Sequence, residues 1–142
     1  MPLKWYGEEL IKKMHEAARK GIDETTTICV AKAKPKMPVD TTELQGAIQM
    51  RPARREGAAM VGRWGAFNCA HAVFVELGTE PHFPPVEALK PWARRKLGDE
   101  DLAFAVAVKI SKVGTKPQPV LRPTADEEYP KLTRRIKKHF GN

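Results

Sequence analysis

The first quarter of the chain carries an unbroken helical pattern, which constrains the fold more than any other stretch. Apolar side chains recur at steps of three and four residues from Leu3 to Cys29, and this spacing aligns them along one face of an α-helix. Pro35 and Pro38 disfavour helical backbone at the residues that precede them. The pattern therefore predicts a helix over residues 3–34, with a charged outer face and an apolar face for other elements to cover.

A short capped turn and a β-hairpin are predicted next. Asp40 is a suitable N-cap, and Glu43 three residues later completes a capping box. Residues 45–51 and 58–64 read as two antiparallel strands. The polar loop predicted over 52–57 has hairpin length and ends in glycine.

Glycines divide the second half of the chain into helices. Residues 70–77 fit a short helix ended by Gly78 as well as they fit a strand, and we favour the helix. Residues 84–114 predict a helical hairpin, because two apolar-periodic stretches end before Gly98 and Gly114.

The C-terminal segment predicts one more helix, over residues 123–142. Pro123 can occupy its first position, Pro130 would kink it, and its outer side is strongly basic. Taken together, residues 1–142 predict a single α+β domain. The long N-terminal helix and the C-terminal helices would pack on a small antiparallel β-sheet.

Composition limits the partners and the compartment. The 142 residues include 25 Lys and Arg against 17 Asp and Glu, a formal charge of +8, so an anionic partner is one interpretation and a soluble mixed-charge surface is the other. Cys29 and Cys69 lack CxxC spacing and do not form a disulfide framework. We expect a chain made in the cytoplasm, without a membrane span.

Catalysis and metal binding are not expected from the motifs. His71, Glu76 and His82 form the most enzyme-like set, but their spacing matches no metal-binding signature. A GxSxG nucleophile motif and a glycine-rich phosphate loop are both missing from the sequence. We therefore expect no cofactor, and we expect Glu76 to accept hydrogen bonds from nearby backbone amides or to pair with an arginine.

Direct DNA binding is a rival hypothesis. Basic residues cluster at the predicted hairpin loop, at 94–96 and at 131–138, and all three clusters could contact phosphates. However, no base-reading motif accompanies them, and the few aromatic residues lie mainly in apolar stripes rather than on a stacking platform. Incidental contact with DNA passing nearby is the weaker form of this hypothesis.

Three segments in order carry a resemblance to a known family. They read PVDTTELQGAI at 38–48, HAVFVELGT at 71–79 and PQPVLRPT at 117–124. Following a long N-terminal helix, this order resembles the tail-completion, or head-tail joining, family of long-tailed bacteriophages and prophages. Thr42 stands where the family usually has glycine, and His71, Leu77 and Val120 replace usual aromatics. The resemblance also implies that the predicted helical hairpin at 84–114 is an insertion, because shorter members have only a loop there. The matching positions are Pro38, Asp40, Thr41, Leu44, Glu76, Gly78, Thr79, Pro119, Leu121 and Pro123.

The resemblance implies a structural protein of the virion neck, assembled in the bacterial cytoplasm as a homo-oligomeric ring of six copies. Its partners would be a head-completion or stopper protein on one side and the tail tube or tail terminator on the other. A tail terminator and a small basic DNA-binding protein are the alternatives. Candidate interface residues are Trp5, Tyr6, Arg54, Arg55, His82, Phe83, Trp92, Arg134, Arg135, Lys137 and Lys138.

Overall fold

A computed structural model describes residues 3–38 and 43–141. It is an α+β fold with one two-stranded antiparallel sheet in the described residues, as predicted. Asp40 and Thr41 lie outside the described residues, so the capping box stays a prediction. The elements are α1 (Gly7–Ala33), α2 (Glu43–Ala47), β1 (Ile48–Glu56), β2 (Ala59–Ala66), α3 (Ala72–Leu77), α4 (Val86–Leu97), α5 (Ala103–Val113), α6 (Leu121–Glu128) and α7 (Leu132–Gly141), with 3-10 turns at Lys34–Lys36, Glu100–Leu102 and Tyr129–Lys131.

The long helix α1 forms as predicted, although it begins at Gly7 rather than at Leu3, and it ends two residues before Pro35. Its inner face is lined by small side chains one turn apart, which allow α7, α6 and the β-hairpin to approach closely. At Gly21, an added Cβ would lie 2.5 Å from Cγ1 of Ile136 on α7, inside van der Waals contact distance. The buried residues of this face are Ala17, Gly21, Thr25, Cys29 and Ala33.

The β-hairpin is longer than predicted, and its tip lies elsewhere. The strands continue to a turn at Gly57 and Ala58, where Gly57 has φ +63°, a conformation that glycine adopts without strain. The predicted loop over 52–57 is therefore wrong. Arg54 and Arg55 lie within β1, not at the hairpin tip.

A β-bulge explains how β1 accommodates a proline. The strand register shifts between Arg51 and Arg54, and Pro52, which has no N–H to donate, lies within the shift. The backbone N–H of Ala53 instead donates to Oδ1 of Asp23 on α1, at 2.7 Å. Sequence pattern around residue 52 could not reveal this partner, since it comes from a helix thirty residues away.

The predicted helical hairpin is confirmed as α4 and α5, which pack against each other. Gly98 ends α4 in the left-handed conformation, with φ +78°. Asp99 caps the following turn by accepting a hydrogen bond from the backbone N–H of Asp101, at 2.9 Å. Gly114 ends α5 with φ +68°, and Pro91 lies inside α4.

The predicted single C-terminal helix is two helices. The first, α6, begins at Leu121 rather than at Pro123, and Pro130 lies in the 3-10 turn that separates α6 from α7. The long α1 lies against both of these helices and against the sheet. A buried apolar core cluster consists of Ala33, Met37, Leu44, Ile48, Cys69, Ala72 and Val120.

Candidate assembly surfaces

Glu76 joins two of the three segments that carry the family resemblance. Its Oε2 accepts hydrogen bonds from the backbone N–H groups of Val120 at 2.8 Å and Leu121 at 3.0 Å, and its Oε1 accepts one from Arg122 at 2.8 Å. The first N–H groups of a helix have no partner within the helix, and a carboxylate there also suits the helix dipole. The expectation that Glu76 accepts backbone hydrogen bonds is confirmed.

Backbone pairing strengthens the same connection. The N–H of Gln118 donates to the carbonyl oxygen of Val75 at 2.8 Å, while Thr79 and Thr115 exchange two backbone hydrogen bonds of 3.1 Å. The hydroxyl oxygens of Thr79 and Thr115 are 2.8 Å apart. A Cβ at Gly78 would lie 2.6 Å from the carbonyl oxygen of Thr115, so only glycine fits this approach.

The first segment reaches the same place through the apolar core. Leu44 and Ile48 of the first segment are buried in one cluster with Ala72 of the second segment and Val120 of the third. The described residues of the three segments therefore form one packed framework. Of the other matching positions, Pro38 and Leu121 are half-buried, whereas Pro119 and Pro123 are exposed.

Large apolar side chains at the N-terminal end of α1 are not covered. Leu3 is 95% exposed and Trp5 is 79% exposed, and Leu10, Ile11 and Met14 are each about half exposed. The helical pattern predicted a covered apolar face along the whole helix, and for the first two turns that expectation is wrong. The other elements pack on the later turns of α1, where the side chains are small. We call residues 3–14 the α1 apolar end.

A groove runs between α4, α5 and the loop at 78–85. Its volume is about 1510 Å³, and Leu89, Trp92, Val106 and Ile110 contribute apolar walls. Trp92 is half-buried in it, and His82 lies along it with its side chain exposed. Near this groove, Phe83 packs edge-to-face on Phe104, with ring centroids 6.3 Å apart, and both residues are exposed.

The predicted basic face of the C-terminal helix is largely neutralised within the chain. Arg135 is only 8% exposed and pairs at 2.5 Å with Glu128, which is fully buried. The prediction that Arg135 belongs to an exposed interface is therefore wrong. Lys138 pairs with Glu24 at 2.8 Å, whereas Lys137, like Arg134, is exposed.

Glu128 is the centre of a buried ionic network. Its carboxylate also accepts hydrogen bonds from Lys32 and, at 3.1 Å, from Lys131. Hydrogen bonds from Lys32 and Arg135 lower the pKa of Glu128 from 4.5 to about 2. Burial, together with the nearby charge of Glu128, raises the pKa of Cys29 to about 11. This network fixes α6 and α7 on α1.

The charge on the β-hairpin is also partly paired. Arg63 makes a bidentate pair with Glu56, with distances of 2.7 and 2.9 Å. Arg54 contacts the same carboxylate at 3.4 Å but stays mostly exposed, and Arg55 is exposed. The exposed cationic side of the hairpin is thus smaller than the arginine count of the sequence indicates.

The enzyme-like set considered from the sequence does not meet in one site. His71 and His82 both line the groove, but both carboxylate oxygens of Glu76 are occupied by backbone N–H groups of α6. A carboxylate that caps a helix in this way is not positioned to orient or deprotonate either imidazole.

No helix in the described residues has both the length and the apolar character needed to cross a bilayer. Comparison with known proteins gives no assignment, because no protein-family model, curated protein or solved structure matches the chain.

Proposed function

We propose that this protein is a structural subunit of the phage neck that joins the DNA-filled head to the tail as part of an oligomeric ring. The observation that carries the proposal is the convergence of the three resembling segments into one packed framework. Glu76 and Thr79 of the second segment are bonded directly to the third, and Leu44 of the first lies in their shared core. The motif residues thus stabilise the shape of the fold, and a ring subunit needs a defined shape.

The uncovered apolar surfaces support an assembling protein. A closed ring with head-to-tail contacts requires two different surfaces on each subunit, one for each neighbour. The α1 apolar end and the groove between α4 and α5 are two such surfaces, formed by different parts of the chain. Exposed Trp5 and half-buried Trp92 belong to a residue type that is enriched at protein interfaces. We assign these surfaces to contacts with neighbouring copies and with the head and tail proteins.

DNA binding as the main activity is less well supported than it was from the sequence. Arg63, Arg135 and Lys138 each have a carboxylate partner within the chain, which leaves fewer cations for phosphate contacts. In the proposed ring, exposed Arg134 and Lys137 contact either an acidic partner surface or DNA crossing the neck. Weak, strongly salt-dependent duplex binding is compatible with that role.

The proposal is tested by deleting the gene for this chain from the phage or prophage that carries it. Electron microscopy of the lysate is expected to show full heads beside separate tails of finished length. Supplying the wild-type chain from a plasmid should restore joined particles. Joined and infectious particles in its absence would contradict the proposal.

The same micrographs separate the tail-terminator alternative. A protein that ends tail growth leaves overlong or irregular tails when it is missing, whereas a joining protein leaves tails of normal length. Overlong tails would therefore assign the chain to the tail end rather than to the joint.

A further inference from the structure

Three side chains with different metal-binding chemistry meet beside the apolar core. Glu43 is the first residue of α2, Cys69 lies in the connection from β2, and His71 directly precedes α3. One ligand atom from each lies within 4.8 Å of the other two. Cys69 Sγ is 3.5 Å from both ring nitrogens of His71.

The distance between Cys69 and His71 matches that between two ligands of one zinc ion. With Zn–S near 2.3 Å and Zn–N near 2.0 Å in tetrahedral geometry, the sulfur and nitrogen are about 3.5 Å apart. The contact between Cys69 and His71 already has this separation. The imidazole of His71 is exposed, so the ring can turn to aim either nitrogen at the ion.

We propose that Glu43, Cys69 and His71 form a site for Zn²⁺ or a chemically similar divalent cation, with water as the fourth ligand. On binding, the Cys69 thiol gives its proton to solvent and a sulfur–zinc bond replaces one zinc–water bond, with no change in oxidation state. Thiolate and imidazole ligands select zinc-like cations over Mg²⁺ and Ca²⁺, which prefer oxygen.

The position of the site determines what the ion would do. Cys69 is 9% exposed and belongs to the core cluster that also contains Leu44 and Ala72, whereas Glu43 and His71 are exposed and give the ion a route from solvent. The ion would link the start of α2 to the start of α3. Because it binds the folded chain, it stabilises the fold. The site is independent of the proposed neck function.

The test is a Co²⁺ titration of the full, reduced chain in a buffer without chelating groups. We expect one equivalent to give a thiolate-to-cobalt charge-transfer band and the visible bands of tetrahedral cobalt, and Zn²⁺ to displace it. Cys69→Ala should abolish the charge-transfer band, while Cys29→Ala should retain it. Mg²⁺ at the same concentration should neither displace cobalt nor raise the Tm.

Variants of the exposed ligands keep the test decisive if Cys69→Ala does not fold. His71→Ala should weaken Co²⁺ binding by at least about 100-fold, because even the loss of an outer-shell partner costs 10–100-fold, and it should remove the rise in Tm that Zn²⁺ produces. Glu43→Gln should weaken binding in the same direction. The exposed His82 provides the control, and His82→Ala should bind as the wild type does. An absence of tetrahedral cobalt bands, or equal effects of His71→Ala and His82→Ala, would overturn the proposal.

Discussion

The carboxylate of Glu76 accepts a hydrogen bond from the backbone N–H of Val120 at 2.8 Å, across 44 residues of sequence. This single side chain determines where α6 begins, because its two oxygens also receive the N–H groups of Leu121 and Arg122. A helix start placed by a distant carboxylate needs no capping residue of its own, which explains why α6 has no N-cap side chain.

Replacing Glu76 should destabilise the fold. Glu76→Ala leaves three backbone N–H groups without their acceptor, and we expect the free energy of unfolding to fall by about 1–3 kcal/mol. Glu76→Gln should cost less, because its side-chain carbonyl oxygen can still accept. Urea unfolding measures both. Glu80→Ala, at an exposed side chain on the following loop, is the control, and an equal effect at both positions would contradict the capping role.

The Glu128 network should make stability depend on acid pH. Since its folded pKa is about 2, below the 4.5 of an unperturbed glutamate, the carboxylate contributes stability that is fully present above pH 4.5. That contribution is lost as the pH falls through 4.5 toward 2. Unfolding free energies measured across this interval should decline more steeply for the wild type than for Glu128→Gln.

At neutral pH, Glu128→Gln should also lower stability by about 3–5 kcal/mol, because it leaves the buried Arg135 without a counter-charge. The neighbouring Glu127→Gln removes an exposed carboxylate that pairs with Lys32, and it should cost at most about 1 kcal/mol. Similar losses for both variants would show that burial of Glu128 is unimportant.

Two glycines that end helices should respond differently to alanine. Gly114, with φ +68° and ψ −158°, lies in a region essentially restricted to glycine, and an added Cβ would meet the carbonyl oxygen of Thr79 at 2.1 Å. Gly114→Ala should therefore cost at least about 2 kcal/mol. Gly98 has φ +78° in the left-handed helical region and open space around it, so Gly98→Ala should cost about 1 kcal/mol. Chemical denaturation provides the comparison, and the reverse order would contradict the close approach at Thr79.

Polar substitution at the α1 apolar end should separate stability from assembly. The double variant Leu10→Gln, Met14→Gln should change the free energy of unfolding by no more than about 0.5 kcal/mol, because both side chains are exposed. It should nevertheless reduce the yield of joined particles in a complementation assay. Lys12→Gln, Lys13→Gln on the same helix should leave both quantities unchanged. A large loss of stability in the Leu10 and Met14 variant would show that these side chains stabilise the folded monomer.

Leu44→Ala is the reference substitution, because Leu44 stabilises the folded monomer. Leu44 is buried in the core cluster, and the substitution should cost about 2–5 kcal/mol through lost burial and a cavity.

Local chemistry was sufficient to predict most helices. The ends of α4 and α5 follow directly from Gly98 and Gly114, and the end of α1 follows from Pro35. The acceptor role of Glu76 was also predictable, since a carboxylate in an apolar stretch needs donors. Its partners were not, because they belong to a segment more than forty residues away.

The errors arise from polar partners that lie on other elements of the fold. Pro52 was predicted to lie in a loop, because the sequence does not show that Asp23 accepts a hydrogen bond from the N–H of Ala53. Arg135 was predicted to belong to an exposed basic face, because the sequence does not show its buried partners Glu128 and Thr25. In each case a polar partner on another helix decides the outcome, and hydrophobic periodicity carries no information about such partners.

The most direct test of the neck assignment is to locate the chain in the assembled particle by cryo-electron microscopy of the phage. We predict a ring of copies of this α+β fold at the junction between head and tail, with the α1 apolar end buried against neighbouring protein. Neck density fully explained by other proteins, with this chain elsewhere in the particle or missing from it, would contradict the neck assignment.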